Sequence, residues 1–383
     1  MTAAQSYLLL GLRLGRHVDG LVDSYYGPAE LKAQVDAEEL VAPGQLVEDA
    51  SALHGSLDDG YLRDLVHGCW TYARVLAGEG MSYSDEVEGS YGVRPQRTPE
   101  AVFERIHAEL DALLPGHGPL EERRRAWRDR HLCPGDKAVA ALGDLLPLLR
   151  ARTLEVVDLP DGESPVVEPV QDEPWWAFNY YLGSLKSRVA LNVDLPTTGL
   201  DLIHLAAHEV YPGHHTEGSV KEHLLVRGQG LVEESIALVP TPGSLLSEGI
   251  AEIGADIVLD DAAREEAYAI LRRHGVELPD PDLARRIGDA IDRLRTVSLN
   301  AALMIFEDGT SLEDAQDYVQ HWTLNTPEQA AQSIRFVTDP TWRAYTITYS
   351  AGRELCGAYV DGDPARFTRL LTEQVRVSEL VSG

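Results

Sequence analysis

Apolar residues recur at helical spacing through residues 6–21, and the pattern stops in a turn-forming stretch that ends Tyr26-Gly27-Pro28. Thr98-Pro99-Glu100 joins a capping side chain, a first-turn proline and an acid, which predicts a helix running to Leu114, before Pro115-Gly116. Another helix is expected from near Pro134-Gly135-Asp136 to about Leu154. The character changes at 160–174, where Pro, Asp, Glu and Val dominate and a loop with short extended pieces is expected. Residues 175–182 and 188–193 read as two extended segments separated by 183–187, a small hairpin and the only β structure the pattern predicts. From Gly199 onward helical spacing returns, broken at Pro212-Gly213, 240–243, Gly275, 279–281, Gly309, Pro327 and Pro340. There is no repeat, no low-complexity tract and no long linker. The expected fold class is therefore mainly α. A single domain is expected over 1–383, with an N-terminal helical part at 1–160 and the part that carries the chemistry at 175–383.

Composition narrows the partners. The chain has 383 residues, of which 44% are hydrophobic, enough for a sizeable core. Against 33 Lys+Arg stand 62 Asp+Glu, a formal net charge of −29. That balance argues against nucleic acid, which requires a basic footprint, and against an anionic membrane surface. The apolar run at 7–12 has no basic residue ahead of it and no small-residue cleavage site behind it, so it does not read as a signal peptide. No stretch of about 18 apolar residues exists to span a bilayer. Cys69, Cys133 and Cys356 are far apart and form no CxxC pair, so a reducing, cytoplasmic setting is expected. The sequence leaves the oligomeric state open.

The chemistry concentrates in one place. Of thirteen histidines, five fall within twenty residues: His204, His208, His214, His215 and His223. His208-Glu209 on a helix, followed shortly by further histidines, resembles the core of a zinc-hydrolase site, in which the histidine holds the metal and the glutamate is the general base toward water. The usual HExxH spacing is absent, because Pro212 takes the fourth position. In an unbroken helix His214 and His215 would lie about 9–10 Å along the axis from His208, too far for one ion. Pro212-Gly213 is expected to end or bulge the helix after Tyr211 and to swing the next histidine back. His214 is the expected second ligand, with His215 as the alternative. Downstream, Glu248 and Glu252 share a helical face at four-residue spacing. Glu248 is the expected third ligand, and Glu252 the acceptor for the spare N–H of a ligating histidine. Two histidines and a glutamate are an established open zinc set, although other divalent ions suit the same donors. No GxSxG and no Walker A motif is present, and the lone Gly228-Gln229-Gly230 reads as loop.

At these residues the sequence resembles a known family. HEVYPGHH at 208–215 is similar to the HExxPGHH hallmark of bacterial domain-of-unknown-function family 885, which is grouped with gluzincin-type metallopeptidases. Glu248-Gly249-Ile250-Ala251 is similar to that family's EGxA segment, and Thr348-Tyr349-Ser350-Ala351-Gly352-Arg353 to its SYxxG segment. The N-terminal GLVDSYYGP looks like a subfamily feature. The resemblance implies a multi-helix gluzincin-like architecture, with the metal between two helices and the small hairpin next to the metal helix. It makes Tyr349 the candidate for oxyanion stabilisation. Arg353, four residues on and on the same helical face, is the candidate for holding a substrate carboxylate. It also suggests that the strand from Arg188 to Leu195, with Asn192, pairs with an extended substrate.

Together these readings lead to a zinc-dependent hydrolase acting on a small peptide or other amide-containing substrate, with Glu209 as general base. Two alternatives use the same residues: a metal-dependent lyase or cyclase acting on a small molecule, and a non-catalytic helical binding protein.

Overall fold

The structure, a computed structural model, describes residues 1–173 and 175–381. The N-terminal part runs α1 (Ala3–Gly15), β1 (Val22–Tyr25), α2 (Ala29–Ala37), α3 (Pro43–Ser56), α4 (Tyr61–Leu76), α5 (Tyr83–Tyr91), α6 (Glu100–Leu113), α7 (Leu120–Arg130) and α8 (Gly135–Thr153). Three strands follow, β2 (Ser164–Val170), β3 (Ala177–Gly183) and β4 (Lys186–Asn192). Then come α9 (Gly199–Glu209), α10 (His214–Lys221), a π-turn at Glu222–Arg227, β5 (Ile236–Leu238) and α11 (Pro242–Val258). The chain closes with α12 (Asp261–Arg273), α13 (Pro281–Asp292), α14 (Thr296–Phe306), α15 (Leu312–Thr323), α16 (Pro327–Thr338), a π-turn at Thr348–Gly352, α17 (Arg353–Val360), α18 (Pro364–Thr372) and α19 (Val377–Val381). The fold is mainly helical with a small sheet, as the periodicity predicts. No described helix is long and apolar enough to cross a membrane.

Apolar stripes on these helices assemble three core clusters. One joins α5 and α6 to α11 and α13–α18, around Phe103, Ile250, Val297 and Phe367. A second packs α8, α9 and α12 against β4, with Leu142, Val189, Leu202 and Leu271 at its centre. The third joins α1–α4 to β5, through Leu8, Leu46, Val66 and Leu238. Each cluster owns an element that packs on α11 or is α11 itself, so that helix lies where the three meet.

The β structure exceeds the expectation. The hairpin of β3 and β4 forms, with Ser184 (φ 55) and Leu185 (φ 62) as its two-residue turn. Positive φ at both central positions matches the twist of the flanking strands. The Glu222 carboxylate accepts from the N–H groups of Ser184 at 3.1 Å and Leu185 at 3.2 Å, which offsets the strain of a left-handed leucine. The stretch expected as loop with short extended pieces supplies a full strand, β2, which pairs parallel with β4 (Pro174 of that stretch lies outside the described residues). The sheet order is β2-β4-β3. Beyond it, β1 pairs antiparallel with β5, a ribbon no periodicity signalled.

Candidate metal centre

Helix α9 is started by a capping box, with the Thr198 hydroxyl accepting from the Asp201 N–H at 3.1 Å and the Asp201 carboxylate from the Thr198 N–H at 2.8 Å. It ends at Glu209, two residues before the expected break. Val210 leaves the helical region (φ −123, ψ −80), and Pro212 has no N–H to continue the ladder. Gly213 then lies so close to the end of α9 that a Cβ there would stand 1.8 Å from the His208 carbonyl oxygen. Only glycine permits that approach. The chain turns back on itself, α10 begins at His214, and the Asn179 side chain of β3 holds the Glu209 carbonyl at 2.5 Å.

The result is a compact cluster. His208 Nε2 is 3.2 Å from His214 Nε2 and 3.5 Å from Glu248 Oε2, and His214 Nε2 is 3.6 Å from Glu248 Oε1. Donors held about 2.0–2.1 Å from one ion at tetrahedral angles stand about 3.3–3.4 Å apart. His208, His214 and Glu248 therefore surround a space of the size a zinc ion fills. An orphaned atom supports the same fit: among the described residues, Glu248 Oε2 is buried without a hydrogen-bond partner. A cation at the centre would satisfy Glu248 Oε2 directly.

The surrounding groups set how the ligands point. Ser247 donates to Glu217 Oε2 at 2.6 Å, so its oxygen accepts from His214 Nδ1 at 3.2 Å. That hydrogen bond turns Nε2 toward the cluster, where its lone pair would become available on loss of the ring's second proton. Lys221 pairs with Glu217 at 2.7 Å. His208 Nδ1 faces Glu252 Oε1 at 3.7 Å, and Arg295 holds the other oxygen of Glu252 at 2.6 Å. His204 is 3.9 Å from Glu252, which makes a second, wider group of His204, His208 and Glu252. Arg295 already neutralises that group's carboxylate, so the tighter cluster is the better metal site. Tyr345 donates to Glu248 Oε1 at 2.6 Å.

Electrostatics make the cluster a well for positive charge. Burial pushes His208 down to about 3, with His214 adding to the effect. Burial would also lower His214, but Glu248, Glu209 and Glu217 outweigh it and raise it to about 10. Burial raises the Glu209 carboxyl to about 7; His214 opposes the shift, and Glu248 and Asp23 add to it. Asp23 is exposed in β1, and partial loss of its hydration pushes its carboxyl up to about 6, with His214 lowering it and Glu248 raising it.

The remaining expected residues separate. Tyr349 stands beside the site: its ring meets Tyr345 edge-on with centroids 5.6 Å apart, its hydroxyl has no hydrogen-bond partner among the described residues, and it feels the charges of Glu248 and Glu209. His215 points away and is fully buried, with Nδ1 2.8 Å from Ser187 Oγ and Nε2 2.8 Å from Glu163. Glu163 also accepts from Tyr211 at 2.5 Å and Arg150 at 2.6 Å. Arg353 does not face the cluster. Its guanidinium donates to the Glu252 carbonyl at 2.5 Å and pairs with Asp256 at 3.0 Å, so it ties α17 to α11 instead of awaiting a substrate carboxylate. Asn192 is buried and its amide donates to the carbonyls of Glu173 at 2.7 Å and Trp175 at 3.1 Å, which removes it from substrate binding. Its strand, β4, is the middle of three and has no free edge for a substrate.

Sequence reasoning missed Tyr345, Ser247, Glu217, Arg295 and Asp23. Signals existed for three of them. Tyr345 stands one helical turn before Tyr349, Ser247 adjoins Glu248, and Glu217 is one turn after His214.

No protein-family model matches the chain, and no curated protein matches it. Among solved structures it is similar to "the putative lipoprotein from Colwellia psychrerythraea", with a TM-score of 0.55 and 16% sequence identity. The similarity covers 92% of this chain but 64% of that one, so this chain spans less than two thirds of the neighbour's length. At that identity the likeness concerns the fold alone.

Proposed function

We propose that the protein is a zinc-dependent hydrolase of a peptide or other amide bond, of the gluzincin-like kind that the HExxPGHH resemblance implies. The observation that carries the reading is the separation of 3.2–3.6 Å among His208 Nε2, His214 Nε2 and the Glu248 carboxylate, with Glu209 next in sequence to the first of them. His208, His214 and Glu248 would hold a divalent ion, which would supply an acidified water and a Lewis acid for a carbonyl oxygen. Glu209 takes the proton of the attacking water on its carboxylate and passes it to the leaving nitrogen. A carboxyl raised to about 7 by burial is well matched to both transfers near neutral pH. Burial keeps the Tyr349 phenol protonated, so its O–H is available to the oxyanion without a change of charge. Ser247 keeps the His214 imidazole oriented, and Glu252 stands 3.7 Å from His208 Nδ1, facing the other ring. The three buried, unpaired cysteines fit a reducing, cytoplasmic compartment.

Glu209→Gln tests the reading. The variant is expected to keep its zinc and to lose about 10²–10⁴-fold in turnover on small peptide amides. Zinc retained with turnover unchanged would remove Glu209 from the chemistry. A wild-type protein that converts no amide but eliminates or cyclises a small molecule would move the same site to the lyase class.

A further inference from the structure

The hydrolytic reading leaves one carboxylate of the site without a role, that of Asp23. It lies in β1 where the pairing with β5 slips: Val22 faces Leu238 and Ser24 faces Ala237, and Asp23 is the extra residue between them. A bulge of this kind re-aims a side chain and recurs beside active sites. The ribbon is firmly anchored. The Tyr26 N–H donates to the Ser235 carbonyl at 2.9 Å, the Tyr26 hydroxyl to the Glu234 carbonyl at 2.7 Å, and the Tyr25 hydroxyl to the Pro28 carbonyl at 2.7 Å. Asp23 itself is exposed and has no hydrogen-bond or ion-pair partner among the described residues. Its strand packs against β3, whose Asn179 holds the Glu209 carbonyl, and its partner β5 packs on α11, which carries Glu248, so Asp23 lies beside the same centre and within electrostatic reach of His214, Glu248, Glu209 and Tyr345.

Charge decides what this group can hold. Glu248 and Glu209 together balance a divalent cation. Arg295 neutralises Glu252 and Lys221 neutralises Glu217. Asp23 is left in excess, exposed on the bulge of the ribbon beside the centre. We infer that Asp23 is the specificity-determining residue that receives the protonated amino group of the substrate beside the bond to be cut. The substrate class is then a peptide or amide with a free α-amino group, and cleavage removes residues from an N-terminus. The inference rests on the hydrolase reading above.

Two probes separate the inference from that reading: leucine hydroxamate, and isocaproyl hydroxamate, which is the same molecule without the amine. The hydroxamate anchors on the zinc in either case. Binding is measured by calorimetry on zinc-loaded wild type, Asp23→Asn and Asp23→Glu, beside zinc content. Wild type is expected to prefer the amine-bearing probe by about 10–100-fold, the range of a charge-assisted hydrogen bond. Asp23→Asn should lose that preference while binding isocaproyl hydroxamate within about twofold of wild type, Asp23→Glu should keep part of the preference, and all three should hold equal zinc. Equal binding of the two probes by wild type would overturn the inference. So would parallel loss of both probes, or loss of zinc, in Asp23→Asn; the latter would make Asp23 a ligand. Failure of the hydrolase reading has a different signature, namely no zinc and no binding of either hydroxamate by wild type, and it would remove the inference too.

Discussion

A methyl group at position 213 would stand 1.8 Å from the carbonyl oxygen of His208 and 2.6 Å from that of Ala207, nearer than carbon and oxygen can approach. The 3.2 Å meeting of His208 and His214 depends on that contact, because it is what lets the chain fold back between the two helices. Gly213→Ala is expected to cost more than about 3 kcal/mol and to reduce zinc affinity with it, since the clash is with backbone and has nowhere to relax. Thermal unfolding with and without a chelator checks this: the variant should melt lower and lose most of the stabilisation that zinc gives the wild type. At this scale the sequence was informative about residue types and poor about directions. The HExxPGHH segment and the ExxxE pair are visible as text, and the helix-breaking Pro-Gly explains why the spacing is longer than one turn. Whether a given polar side chain faces the centre is decided by tertiary packing. Arg353 and Asn192 look like ligand-binding residues in one dimension, but each is committed to holding neighbouring backbone or carboxylate.

Elements are assembled here through close approaches and buried polar links. Gly249 of α11 and Gly352 of the Thr348–Gly352 π-turn face one another; a Cβ on the first would stand 2.4 Å from the Gly352 carbonyl, and one on the second 2.5 Å from that of Leu245. This contact gives a physical reason for glycine in both the EGIA and the YSAG segments: it brings Tyr345 and Tyr349 over Glu248. On the other side, the sealed network of Ser187, His215, Glu163, Tyr211 and Arg150 ties the sheet and α8 to the connection between α9 and α10. Burial alone would raise the Glu163 carboxyl, but hydrogen bonds from His215, Tyr211 and Arg150 outweigh it and hold it at about 2. A carboxyl lowered on folding stabilises the fold above its unfolded value near 4.5, and that contribution disappears as pH falls toward 2. Chemical denaturation between pH 6 and pH 2 in wild type and Glu163→Gln is expected to show a wild-type advantage on the order of 2–3 kcal/mol at the upper end that vanishes at the lower. The long helices were legible because their caps and apolar stripes are local. The ribbon of β1 and β5 was not, because strands of four and three residues carry no period and their partners lie more than two hundred residues apart.

For the whole molecule, the N-terminal part is more than a support. It pairs a strand with the segment just ahead of α11, and on the inference drawn above it sets Asp23 beside a centre built otherwise from residues beyond 200. The place of GLVDSYYGP is illegible in one dimension because the pairing that fixes it joins residues more than two hundred positions apart. The strong net negative charge is consistent with such a centre, which gathers carboxylates around a place for a cation. The most direct test of the account is elemental analysis of protein purified without chelator, with wild type beside His214→Ala and Glu209→Gln. The account predicts about one zinc per chain in wild type and in Glu209→Gln, and little in His214→Ala. Metal-free wild type, or full zinc in His214→Ala, would contradict it.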